Sequence, residues 1–133
     1  MQQLIYDAAT YALEHIGKTN GGRLPATLDD ALTLPYAYGV ADVILRPVAT
    51  SLVIELDGEA VILIDSRANS VDQMCGAVHE IVEFMQVDDG YAPALAEALR
   101  PGRYHQSGEG DPDAIRHQIA ALADHIYRAW LTM

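Results

Sequence analysis

Apolar residues recur at helical spacing through Leu4, Ile5, Ala8, Tyr11 and Ala12, with His15 on the same side. Residues 4–16 therefore read as a helix, and Gly17 and the Gly21-Gly22 pair are expected to end it. Residues 25–32 form a short second helix that Pro35 stops. Val40 to Val48 reads as a strand, with Pro47 near its end. The clearest β signal follows. Leu52-Val53-Ile54-Glu55-Leu56 and Ala60-Val61-Ile62-Leu63-Ile64 flank Asp57-Gly58, a favoured hairpin turn because glycine takes positive φ without penalty. The second of these strands is apolar at every position, as expected of a strand covered on both faces.

Asn69 or Ser70 caps the next helix, with Asp72 in its first turn to complement the dipole. That helix is expected to run from Val71 to about Gln86, with a core stripe of Val71, Met74, Val78, Ile81, Val82 and Met85. His79 and Glu83 flank this stripe. Asp88-Asp89-Gly90 breaks the chain, and residues 92–99 form a short helix stopped by Pro101-Gly102. Residues 104–111 are a polar loop. Pro112 stands at a helix start, and residues 113–131 make the last helix. The order of elements predicts an α+β domain, with a small antiparallel-containing sheet (hairpin 52–64) packed against several helices.

Composition narrows the classes. A chain of 133 residues, half of them apolar, fits one domain, 1–133, with a sizeable core. No apolar run approaches the roughly 18 residues of a membrane span. The first residues, Met1-Gln2-Gln3-Leu4, lack the basic region of a signal peptide. The lone cysteine, Cys75, allows no intrachain disulfide, which fits a reducing cytoplasm. A net charge of −11 argues against direct nucleic-acid binding and against docking on anionic lipid. It permits a cation or a basic protein partner, and it also serves solubility.

The candidate chemistry lies in Val78-His79-Glu80-Ile81-Val82-Glu83-Phe84. This is His-Glu-x-x-Glu within a helix-forming run. Residues four apart share a helix face, about 6 Å apart at Cβ. His79 and Glu83 can therefore reach one metal ion, and Glu80 can take a proton from water beside it. A hydrolytic zinc site needs a third protein ligand, and the last helix offers His117 or His125. Two histidines and a carboxylate also suit non-haem Fe(II), the less favoured metal. The bland alternative is a solvated Glu80/Glu83 face with His79 at its rim.

The run Ala60 to Arg67, followed by a capped helix carrying Ala77 to Phe84, resembles the core of ImmA/IrrE-type zinc metallopeptidases. The nearer resemblance is to short phage-encoded relatives whose zinc helix ends in glutamate. It covers about residues 52–131, and Glu83 stands where the wider family has its second histidine. The resemblance implies a zincin-like core, zinc as cofactor, Glu80 as base, and a third ligand on the downstream helix. It favours His117, which is followed by Ala120, Ala123 and Tyr127. It further implies a phage or mobile-element origin and a protein or peptide substrate, such as a repressor-like protein.

Two functions follow as expectations. The first is a zinc-dependent, peptidase-like hydrolase with His79, Glu83 and His117 as ligands and Glu80 as base. The second is a non-catalytic acidic interaction protein, an inhibitor or nucleic-acid mimic with a degenerate metal site. Metal content separates them.

Overall fold

The structure is a computed structural model that describes residues 2–85 and 112–133. Among these residues the fold is α+β, with four α-helices and one three-stranded mixed sheet. Helix α1 spans Gln2–Thr19 and α2 Leu28–Thr33, followed by a 3-10 turn at Leu34–Tyr38. Strands β1 (Asp42–Arg46), β2 (Leu52–Leu56) and β3 (Glu59–Asp65) precede α3 (Ser70–Met85). Helix α4 spans Pro112–Leu131. The expectations for residues 88–111 lie outside the described residues.

The hairpin forms as its turn chemistry requires. Leu56 pairs with Glu59 across Asp57 and Gly58, whose φ angles of 54° and 81° are left-handed. β1 then joins the other edge of β3 in parallel, Asp42 opposite Val61 and Arg46 opposite Asp65. The sheet order is β1-β3-β2, which makes the all-apolar strand central. The expected strand at Val40 to Val48 is thus shorter at both ends.

Helix α3 is the centre of the domain. Asn69 Oδ1 accepts from the backbone N–H of Asp72 at 2.8 Å and caps it. One side of α3 packs Ala77 and Phe84 against Val40, Ile62 and Ile64. Its other side buries Met74, Val78, Ile81 and Met85 against Ile5, Ala12, Ile16, Ile119 and Tyr127. Covered from both sides, α3 is buried well beyond a single apolar stripe, and Glu80 is drawn inside with it, 2% exposed.

Gly17 does not end the first helix, which continues to Thr19. The backbone of Arg23 and Leu24 folds back to 3.7–3.8 Å from where a Gly17 Cβ would stand, an ordinary packing distance. Gly21 and Gly22, at φ 80° and 107°, make the turn. Helix α4 is fastened by Tyr127, whose buried hydroxyl donates to the Pro25 carbonyl at 2.6 Å. Near the end of α1, the Tyr38 hydroxyl lies 2.8 Å from His15 Nδ1 and donates to Thr19. No described helix is long and apolar enough to cross a membrane.

Candidate metal centre

His79, Glu80 and Glu83 stand together on α3. Among the described residues they form a group with one possible ligand atom each, all within 4.8 Å of one another. His79 Nε2 lies 3.6 Å from Glu83 Oε1, the i,i+4 contact expected on one helix face. α4 brings His117 to the same point: its Nδ1 is 2.5 Å from Glu83 Oε1. The two atoms are close but not aligned as a hydrogen bond. The His117 side chain is 72% exposed, so it stands at the mouth of the site. His125 is also exposed.

Two further residues complete the surroundings, and neither stood out in the sequence. Ser51, just before β2, donates to Glu80 Oε1 at 3.2 Å. Gly76 makes this possible. A Cβ there would sit 3.3 Å from the Ser51 hydroxyl, tighter than usual, so glycine gives the Ser51 side chain room beside α3. Asp124, on α4, places Oδ2 at 3.7 Å from His79 Nδ1. It stands seven residues after His117, two helical turns along the same face. That spacing is the one signal that could have found it.

The electrostatics follow from burial and crowding. Asp124 first, then Glu83, hold the His79 imidazolium and push its pKa up to about 10. Burial, and then the charge of Glu83, push the Glu80 carboxyl up to about 7. Glu83 is held below its ordinary range, chiefly by His79. In the metal-free protein a proton on His79 thus supplies the positive charge that the carboxylates need. Glu80 Oε2 is nevertheless buried without a hydrogen-bond partner. A buried carboxylate oxygen is costly in that state, and a proton or a nearby cation would offset the cost. The donor set of imidazole and carboxylate suits zinc and, equally, Fe(II).

A cleft of about 510 Å³ lies over His79, Glu80, Glu83 and His117, with Leu52, Val53 and Phe84 as its apolar wall. A second cleft, about 320 Å³, lies on the other side of His79, between Asp72, Gly76, Asp124 and Arg128. Ser51 and His79 border both. No protein-family description matches this sequence, and no curated protein or solved structure does.

Proposed function

We propose that this protein is a zinc-dependent hydrolase of the peptidase type. In this reading His79 and Glu83 hold the ion, His117 is the third protein ligand, and Glu80 is the general base. The observation that carries it is the gathering of one possible ligand atom each from His79, Glu80 and Glu83 within 4.8 Å of one another, with His117 Nδ1 at Glu83 Oε1. Zinc, when bound at such a site, supplies Lewis acidity and makes a water acidic near neutral pH.

The chain's own residues account for the remaining requirements. A carboxyl raised to about 7 can take up and release a proton at neutral pH, as a general base should. Ser51 engages Glu80 Oε1 and leaves Oε2 for that proton. Leu52, Val53 and Phe84 offer an apolar wall for a side chain next to the bond being cut. The resemblance to ImmA/IrrE-type peptidases adds a protein or peptide substrate of repressor type, and the cysteine usage is read as a reducing, cytoplasmic setting. The single thiol, Cys75, is buried and reduced, in keeping with that setting.

The test is metal analysis of the purified protein followed by zinc titration and a peptide-hydrolysis assay. About one zinc per chain, with hydrolysis lost on chelation and restored by zinc, supports the proposal. Iron in place of zinc makes the protein an Fe(II) enzyme. Absence of any stoichiometric metal leaves the acidic interaction protein, with its net charge of −11, as the better account.

A further inference from the structure

The two nitrogens of the His79 ring face different partners. Nε2 is 3.6 Å from Glu83 Oε1, and Nδ1 is 3.7 Å from Asp124 Oδ2. These atoms lie on opposite edges of the imidazole, and the two carboxylates come from different helices. Were His79 to hold an ion, one of them would share it and the other would meet the far edge of the ring. Arg128 decides which. Its NH1 binds Asp72 Oδ1 at 2.6 Å, and its NH2 is 4.0 Å from Asp124 Oδ1. A guanidinium already stands on the Asp124 side, and a divalent cation placed there would be repelled by it. The Glu83 side has two carboxylates and no arginine among the residues bordering its cleft.

We propose that Asp124 is a positioning residue. It accepts the Nδ1 hydrogen of His79 and so turns Nε2 toward the ion held with Glu83. This rests on the metal-site reading above and extends it to a residue on a separate helix. The series Asp72, Arg128, Asp124, His79 then runs from the first turn of α3, across α4, and back to α3. Carboxylates in this outer position fix the tautomer and orientation of a ligating imidazole and raise its basicity, and their loss commonly weakens metal binding about 10–100-fold.

The experiment compares zinc affinity of the full chain with that of Asp124→Asn and Asp124→Glu, by competition with a chromophoric chelator. The visible spectrum of each cobalt-loaded protein is recorded alongside. Asp124→Asn keeps the size of the side chain but removes the charge. It is expected to bind zinc about 10–100-fold more weakly, with cobalt band positions unchanged, and Asp124→Glu is expected to recover part of the loss. Equal affinity of Asp124→Asn and parent overturns the proposal. Shifted cobalt bands also overturn it, because Asp124 would then be a ligand itself. If the parent binds no zinc, both this proposal and the metal site fall, which separates that failure from the other two. Should Asp124→Asn not fold, long-range proton–nitrogen NMR of the zinc-loaded parent decides. A His79 ring protonated at Nδ1 and ligated through Nε2 is expected, and ligation through Nδ1 overturns the proposal.

Discussion

The Ser51 hydroxyl donates to Glu80 Oε1 across the space that Gly76 leaves open, one helical turn before the glutamate. One oxygen of a buried carboxylate is thereby fixed and the other is left facing His79 and Glu83. Replacing Gly76 by alanine puts a methyl group 3.3 Å from Ser51 Oγ. The 49–51 loop must then move by a few tenths of an ångström, and the Ser51–Glu80 bond weakens. Gly76→Ala is expected to lower hydrolytic rate while leaving zinc affinity close to the parent's, since it touches neither His79 nor Glu83. Parallel rate and affinity measurements check this, and an unchanged rate contradicts it.

Glu80→Gln removes the proposed base while keeping size and hydrogen bonding. Hydrolysis is expected to fall about 10²–10⁴-fold with zinc binding nearly intact. The same change removes a carboxylate whose ionisation burial opposes. Metal-free Glu80→Gln is therefore expected to melt at a higher temperature than the parent above pH 7. A lower melting temperature there would show that the Glu80 charge is better compensated than its buried, half-bonded state indicates.

His79→Ala takes away the one imidazole of the group and the partner of both Glu83 and Asp124. Zinc is expected to raise the parent's melting temperature, by mass action on the folded state, and to leave that of His79→Ala unchanged. Thermal melts with zinc and with chelator, side by side, read this directly.

The pH dependence of the metal-free protein has a definite sign. His79 is raised from 6.5 to about 10, so its contribution is complete below about 6.5 and is lost as pH rises through about 10. Glu80 is raised from 4.5 to about 7, so stability also declines as pH rises across that interval. Glu83, held low, contributes above 4.5 and loses its contribution as pH falls through its folded value. Metal-free melting temperature is thus expected to fall steadily from weakly acidic to alkaline pH. Zinc must displace the His79 proton, so the gap between zinc-loaded and chelated melts widens in the same direction. A metal-free melting temperature that climbs between pH 6 and 9 contradicts the assignment.

Local geometry made much of the site readable. The pairing of His79 with Glu83 needs only a helix, and the apolar stripe and Asn69 cap announced one. Asp57-Gly58 likewise declared its own hairpin. What escaped was set by distant contacts. Nothing near Val43 shows that β1 pairs in parallel with β3 rather than extending the hairpin. Gly17 has a strong tendency to end helices, but the helix runs on to Thr19 and turns at Gly21 and Gly22. Ser51 and Asp124 are ordinary polar residues until α3 comes to lie beside both. The burial of Glu80 was also hidden, because it depends on α3 being covered by the sheet on one side and by α1 and α4 on the other.

Tyr127 provides the last prediction. Its hydroxyl is the partner of a buried carbonyl at Pro25, and Tyr127→Phe leaves that carbonyl unsatisfied at a cost of about 1–3 kcal/mol. Chemical denaturation of both proteins measures the difference, and a loss well below that range would mean the Pro25 carbonyl finds water instead.

The same bond makes the opening third of the chain a ruler for the chemistry. Every residue assigned to the centre falls between Ser51 and Arg128, yet α4 is also tied to a carbonyl at position 25. A slip of α4 by one turn is 5.4 Å, more than the whole distance from Asp124 to His79. Changes near Pro25, remote from any ligand, would therefore act as changes of focus. They would leave each donor in place on its own helix and spoil only the point at which the helices aim.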